Sequence, residues 1–486
     1  MIFEIILKTL IGGLEMKQAE IGVIGLGVMG SNIALNIAEK GYLVSVYNRE
    51  PEWVDSFMQK AGNLSERIIA TKTLEDLVSS IRPPRPILIM ITAGSPVDMI
   101  IDELTPLLSK GDILIDGGNT NFRDTQVRCT RLTHKCISFI GMGVSGGKEG
   151  ARHGPSLMVG ATPEAYDCIK KILTSISANY NGEPCCALLG PDGAGHFVKT
   201  IHNGIEYADM QMIAEIYGIL RDKVGKSTSE ISDIFYRWKS GRLNSYLIEV
   251  TAEILSTKDQ LTGNPIVDII VDKANQKGTG KWFIIESQEL AVPVTTIEAA
   301  VTARNISCYK IDREQMEALF GQKNSDSFEE SSDLIKDLEL ALYASKIIAY
   351  TQGFSMLAKA SDTYSWKLKM ESIACIWRAG CIIRSQLLDD ISEAFMNIDS
   401  YHKNLLQTPI FSKKIKEAIP SLRRIVTSCV KSGYPIPSLS AALSYFDSYK
   451  QSRGTANLIQ AQRDFFGNHG FERTDGSLER HGPWRQ

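Results

Sequence analysis

Paired cysteines, metal-ligand clusters and membrane-length apolar runs are all scarce in this chain of 486 residues, and each shortage closes off a class of protein. Its nine cysteines include no CxxC, and an odd total cannot all pair internally. That points to a reduced compartment such as the cytoplasm, and away from a disulfide-built or zinc-built fold. The seven histidines include no HExxH or comparable pairing, so no metal is expected. A formal charge of −3 leaves no footprint for nucleic acid or an acidic membrane surface. The opening MIFEIILKTLIGGLE has neither a basic start nor a small-residue cleavage site, and Lys8 interrupts its apolar run. It is neither a convincing signal peptide nor long enough to span a bilayer. Residues 1–16 are read as an extension, either a loose tail or a product of start-site choice. Fixed-period repeats and low-complexity tracts are absent too. What remains is an ordinary globular composition, 43% hydrophobic, with length enough for two or three domains.

Residues 17–193 alternate strand and helix signals. Continuous apolar runs at 20–25, 43–48, 86–91, 112–118 and 136–143 read as strands. Between the first of them lie a helix through ALNIAEK that stops at Gly41 and a second, PEWVDSFMQKAG, with Pro at its start and Gly at its end. Strands without polar alternation are buried on both faces, which implies a parallel sheet with helices on either side. From 194 to 452 strand signals fade and spacings near 3.6 take over. The fold class is therefore an α/β Rossmann-type domain followed by a large all-α domain. The end, 453–486, is rich in Gly, Arg and His with little apolar periodicity, and would be loose unless another surface accepts it.

A further absence selects the cofactor. The stretch 25-GLGVMG-30 fits GxGxxG after a strand and at the opening of a helix. Gly25 permits the tight turn, Gly27 lets the backbone approach a pyrophosphate, and Gly30 lets helix and strand pack closely. The helix N-terminus supplies unpaired N–H groups for the phosphates. An NAD site usually places Asp or Glu about 20 residues further on, to accept from the ribose 2′-OH. Here Asn48-Arg49 stands at the end of the second strand instead, and a guanidinium binds a 2′-phosphate through paired hydrogen bonds. NADP is the expected cofactor.

The helix in 195-GHFVKTIHNGIEYADMQ-211 carries the chemistry. At about 100° per residue, Glu206 returns to within about 20° of Lys199, with His202 and Asn203 flanking them. Ile201, Ile205, Ala208 and Met212 fall on the far side. The result is a dry face opposite a polar row about 10 Å long. His and Asn give little on an exposed helix surface, and Gly204 costs about 1 kcal/mol against Ala unless something must approach closely. Beside a nicotinamide, a neutral lysine can take the proton of a secondary alcohol, and a protonated glutamate can return one. Other stretches suit anions: Ser145 with the Gly146-Gly147 turn, Lys277 in a glycine-rich loop, Arg304, and Arg463 with His469 near the end.

Together GLGVMG, YNRE, DGGNT, GVSGGKEGARHGPSLMVG, the 195–211 helix, NQKGTGKWF and QAQRDFFGNHGFERTDG resemble the 6-phosphogluconate dehydrogenase family, from about residue 17 to the end. The resemblance implies oxidative decarboxylation of 6-phosphogluconate to ribulose 5-phosphate and CO2, with NADP reduced and no metal. It makes Lys199 the general base and Glu206 the acid that protonates carbon 1. It places Gly25, Leu26, Gly27, Val28, Met29, Gly30, Asn48, Arg49, Glu50, Thr92, Ala93 and Asn119 at the dinucleotide. Asn119, Ser145, Gly146, Gly147, His202 and Asn203 would hold the sugar acid; Tyr207, Lys277, Arg304, Arg463 and His469 would grip its phosphate. It further implies a homodimer whose helical domains pair and whose tails enter the neighbouring subunit, so that Arg463 and His469 complete the partner's site.

Three departures stand out. Thr92 replaces a lysine common at that position, and Lys148 and His153 are substitutions beside the substrate turn. Two other readings compete: a β-hydroxyacid dehydrogenase for a short acid such as 3-hydroxyisobutyrate, and an inactive NADPH-binding dimer. The large helical domain and the distant Arg463/His469 motif argue against the first, the intact Lys199 and Glu206 against the second.

Overall fold

The computed structural model describes residues 18–276, 278–321, 328, 332–397 and 404–484. The expected N-terminal extension and Lys277 lie outside the described residues. Ten strands occur among them: β1 (Ile21–Ile24), β2 (Val44–Tyr47), β3 (Ile68–Ala70), β4 (Pro86–Ile89), β5 (Ile113–Asp116), β6 (Ser138–Ser145), β7 (Ser156–Gly160), β8 (Asn179–Tyr180), β9 (Glu183–Pro184) and β10 (Cys186–Gly190). β8 and β9 form a small ladder of their own. The other eight make one sheet, in the order β10-β7-β6-β5-β4-β1-β2-β3.

The chain leaves this sheet at β3 on one edge and re-enters as β4 on the far side of β1. That reversal is a topological switch point, and the crevice beyond the carboxyl ends of β1 and β4 is where such sheets bind ligands. The turns that open there are Gly25–Gly27 and Ile91–Gly94. Central strands β1, β4 and β5 are buried at every position, as their unbroken apolar runs require.

Two features depart from the expected all-parallel sheet. β7 runs antiparallel to β6, and β10 pairs parallel to β7, so one edge is reversed. β3, β7 and β10 gave no clear local signal. β3 has three residues, while β7 lies inside the stretch read as a glycine-rich substrate turn.

The helices that position the site are α1 (Val28–Glu39), α2 (Pro51–Ala61), α3 (Phe122–Thr133), α4 (Gly147–His153), α5 (Ala194–Asp222), α6 (Thr279–Glu289), α7 (Thr295–Ser307), α8 (Ser332–Thr363), α9 (Pro409–Lys431), α10 (Pro437–Tyr449) and α11 (Ala456–Gly467). Beyond residue 193 no strand occurs among the described residues, only isolated bridges. At 29 residues, about 44 Å, α5 is the axis of the helical region. It is not a half-solvated helix. α8 covers its Ile201–Ile205 side, where Gly353 meets Ile205, and α6 brings Phe283 against Gly204. A Cβ on Gly204 would lie 2.4 Å from the Phe283 ring, so the glycine serves helix packing. Its N-terminal turn is set into the sheet: Gly195 abuts the Gly141 and Met158 carbonyls.

The tail is more ordered than its composition suggests. Helix α11 is followed by a return segment gathered on Asp464, whose carboxylate accepts from Gly470 N–H (2.8 Å), His481 Nδ1 (2.8 Å), Gly482 N–H (2.9 Å) and Trp484 Nε1 (2.6 Å). Polar bonds to one buried carboxylate, not apolar periodicity, organise it. Among the described residues the hydrogen bonds of 456–484 stay within the segment apart from Leu458 N–H to the adjoining Thr455 carbonyl, and Leu458, Ile459, Phe465 and Phe466 remain exposed.

Candidate active site

The dinucleotide turn has the geometry its glycines call for. Gly25 has φ +94°, and a Cβ there would lie 2.5 Å from the Met90 carbonyl oxygen. A Cβ on Gly30 would run into the Gly25 carbonyl, whereas Gly27 has open space around it, as a backbone meant to meet a pyrophosphate needs. Leu26 is buried behind the turn; Val28 is exposed and Met29 half-buried. Asn48 ties the end of β2 to this turn by accepting from the Leu26 N–H (2.9 Å). Arg49 is exposed and pairs with its neighbour Glu50 (2.8 Å).

Across the crevice, the polar row of α5 is dry. Lys199 and Asn203 are almost fully buried and His202 wholly so. Lys199 Nζ lies 3.4 Å from His202 Nδ1, which is also 3.1 Å from Asn203 Oδ1 and 3.7 Å from Glu206 Oε2. His202 Nε2 faces Ser145 Oγ at 3.1 Å, joining the helix to the end of β6. Behind it the Trp377 ring packs edge-on, centroids 5.6 Å apart.

Desolvation shifts all three titratable groups toward neutrality. Burial lowers Lys199 below the ordinary lysine value, with the Glu206 charge opposing. Burial also raises Glu206, opposed by Lys199 and Arg304. His202 falls well below its usual value, through burial and then the neighbouring Lys199 charge. An uncharged amine beside a protonated carboxyl is the pair a base and an acid would need.

A cavity of ≈ 690 Å³ opens between the two lobes. Thr92, Ala93 and Asn119 line it from the sheet, and Asn203, Glu206, Tyr207 and Arg304 from the helices. The Arg304 guanidinium stacks 3.8 Å above the Tyr207 ring, a fixed cation at the end of the row away from Lys199. Gly146 and Gly147 both have positive φ and start α4; Gly146 is glycine because the Gly380 carbonyl occupies the place of a Cβ. Lys148 and His153 are exposed, with His153 3.8 Å from Glu149. Arg463 and His469 are exposed on the tail and do not line this cavity.

Sequence reasoning missed what holds the cavity loops. Arg128 on α3 is buried and donates to Asp98 (2.7 and 2.9 Å), to the Gly94 carbonyl (3.0 Å) and to Asp116 (3.4 Å). Asp116 in turn accepts from Gly118 N–H (2.9 Å) and Thr120 Oγ1 (2.7 Å), so one guanidinium fixes both the 91–94 and the 116–120 loops. His196, one turn before Lys199, meets the Asp116 carbonyl at 3.1 Å. Arg123 reaches Glu286 on α6 (2.9 Å), where Tyr364 also donates (2.6 Å). Asn121 and Asp124 also line the cavity without any local sequence signal, while Asn275, Thr279 and Trp282 come from the NQKGTGKWF stretch, where sequence reasoning singles out only Lys277.

A dinucleotide turn set against a desolvated acid–base helix places the molecule among the Rossmann-type nicotinamide-dependent dehydrogenases that carry a helical second domain. Comparison with known proteins narrows this. The family model described as the NAD binding domain of 6-phosphogluconate dehydrogenase matches residues 20–190, and that of the 6-phosphogluconate dehydrogenase C-terminal domain matches residues 195–484. The chain belongs to the 6-phosphogluconate dehydrogenase family. It is 47% identical to the NADP(+)-dependent, decarboxylating 6-phosphogluconate dehydrogenase of Bacillus subtilis, covering 96% of this chain and 100% of that one. It is 45% identical to the NAD(+)-dependent, decarboxylating enzyme of the same organism, over 96% and 99%. A Plasmodium falciparum 6-phosphogluconate dehydrogenase, solved in its apo form and with NADP+ and 6-phosphogluconate, superposes with a TM-score of 0.92 at 43% identity, covering 96% of this chain and 100% of that one.

Proposed function

We infer that the chain oxidises and decarboxylates 6-phosphogluconate to ribulose 5-phosphate and CO2, using NADP. The observation that carries this reading is the buried row from Lys199 to Glu206 opening onto a cavity that ends at Arg304. The residues present suit the dinucleotide: the open Gly27, the helix terminus behind it and an exposed Arg49. When bound, NADP accepts the hydride from the hydroxyl-bearing carbon of the sugar acid.

The chain's own residues do the rest. Neutral Lys199 takes the hydroxyl proton as that carbon becomes a ketone, which is β to the carboxylate. Lys199, now protonated, polarises the ketone so that electrons from the breaking C–C bond flow into it as CO2 leaves. Glu206 then delivers a proton to carbon 1 of the enediol while Lys199 takes the proton from the enediol hydroxyl, which restores the ketone of ribulose 5-phosphate. His202, neutral between Ser145 and Asn203, holds the sugar acid through hydrogen bonds without adding charge. Arg304 and Tyr207 take the phosphate end.

We also read the molecule as a homodimer in a reducing compartment, the cytoplasm. Nine free cysteines fit that compartment, and no helix among the described residues is long and apolar enough to cross a membrane. The exposed aromatic and aliphatic residues of α11, with Arg463 and His469 exposed and outside the lining of the chain's own cavity, favour a tail that serves a second copy.

Purified protein mixed with 6-phosphogluconate and NADP, without added metal, is expected to form NADPH and CO2 in equal amounts. Turnover of 3-hydroxyisobutyrate alone, or NADPH binding with no turnover, would overturn this reading.

A further inference from the structure

The end of β2 holds both of the residue types that usually distinguish the two nicotinamide dinucleotides. A carboxylate there accepts from the 2′-OH of NAD; an arginine there receives the 2′-phosphate of NADP. This chain has Arg49 and, directly after it, Glu50, which bind one another. Arg49 Nε donates to Glu50 Oε1 at 2.9 Å and Nη2 lies 2.8 Å from the same oxygen. The second carboxylate oxygen accepts from Asn48 Nδ2 at 2.9 Å, and Asn48 is itself anchored to the Leu26 N–H of the dinucleotide turn. Glu50 stands at the N-cap of α2, yet its side chain accepts nothing from that helix's first turn. It is committed to Arg49 and Asn48.

Those contacts have unequal consequences for the two ligands. A ribose 2′-OH can donate to the carboxylate while the pair stays whole. A 2′-phosphate, carrying a charge near −2, meets an Arg49 whose Nε and Nη2 are already given to Glu50, so it must share or displace that contact, and it has a like charge beside it. We propose that Glu50 is a specificity-determining residue that holds back the NADP preference set by Arg49, so that this chain also turns over with NAD. The family holds members named for either dinucleotide, so either outcome lies within its range.

The proposal rests on reading this crevice as the dinucleotide site, and its test is arranged to separate the two. The kcat/KM for NADP and for NAD would be measured with 6-phosphogluconate on the wild type and on Glu50→Gln, which keeps the size and a contact for Asn48. In parallel, NADPH and NADH affinities would be measured by fluorescence titration, which needs no turnover. The expected result is NAD turnover in the wild type and a rise of about five- to tenfold in the NADP:NAD ratio of Glu50→Gln, carried by a lower KM for NADP. A rise under threefold, no change, or a fall overturns the proposal; a fall would mean that Glu50 holds Arg49 ready for the phosphate. A wild type binding NADPH more than about a thousandfold tighter than NADH overturns it as well. If neither dinucleotide is reduced, the functional reading fails, while the affinity ratio still decides the role of Glu50.

Discussion

The two ends of the cleft carry charge in opposite ways. At the β2 end, the Arg49 side chain is 83% exposed and Glu50 46%, an ion pair lying in water. On α5, Lys199 is 7% exposed and His202 is sealed off, with Asn203 and Glu206 the members that reach the cavity. Water screens the first pair, so it controls only which ligand is welcome. Removing water from the second row displaces the protonation equilibria themselves, lowering the amine toward a usable base and raising the carboxyl toward a usable acid. Exposure yields selectivity; burial yields reactivity.

The largest test of that contrast removes the amine. Lys199→Met keeps the stem that packs on Gly143 but has no base, and NADP reduction is expected to fall by about 10²- to 10⁴-fold while NADPH still binds. Activity within tenfold of wild type would break the assignment. A pH series asks whether burial is the cause. Lys199 works when neutral, so kcat/KM should rise with pH through a value below the ordinary 10.5. Glu206 works when protonated, so the rate should fall as it ionises at a value above 4.5. Glu206→Gln should slow turnover by about 10²-fold and abolish the fall at high pH while keeping the rise. A fall that survives in this variant would show that another group sets it.

The same rule can be examined where no chemistry is involved. Glu215, on the buried continuation of α5, accepts from the Ser438 and Leu439 N–H groups at the start of α10, both at 2.9 Å. Those bonds favour its ionised form, yet burial outweighs them and pushes it up to about 7. A carboxyl raised on folding contributes stability that is fully present below its unfolded value of about 4.3 and is lost as pH rises through the folded one. Stability should thus drop by about 3 kcal/mol between pH 4.5 and 8 from this group. Glu215→Gln should flatten that slope in thermal melts; an unaltered slope would assign the pH dependence elsewhere.

How much of this was legible in the sequence follows the same division between local and tertiary causes. β1, β2, β4, β5 and β6 could be read because buried strands have no polar interruptions, and the switch-point turn because three glycines answer three local demands. The α5 row could be read because helical arithmetic places Lys199, His202, Asn203 and Glu206 together. The reversal of β7 could not, since no residue within Ser156–Gly160 records its direction. The Arg128 clamp was equally silent: its partners Asp98, Gly94 and Asp116 meet it only after the sheet has formed. Gly204 announced that something came close, and only packing identified it as Phe283. At β2 the absence of an acid was inferred one residue too early, because Glu50 follows Arg49 and folds back onto it.

The smallest expected effect, and the one that separates the two ends most cleanly, lies at Arg49. Arg49→Asp removes the one guanidinium of the Asn48–Glu50 stretch and adds a charge repelling a 2′-phosphate, so KM for NADP should rise about tenfold or somewhat more with kcat retained. Because the wild-type guanidinium is exposed, added salt should mimic this in part. Raising ionic strength from about 0.05 to 0.5 M shortens the screening length and should cut the NADP:NAD ratio a few-fold. The same salt should leave the acid limb of the pH profile where it was, since Lys199 and His202 meet each other in a space that mobile ions do not enter. If salt moved that limb as much as it moved the cofactor ratio, the row on α5 would have to be wet. The contrast between selecting and reacting charges would then have no physical basis.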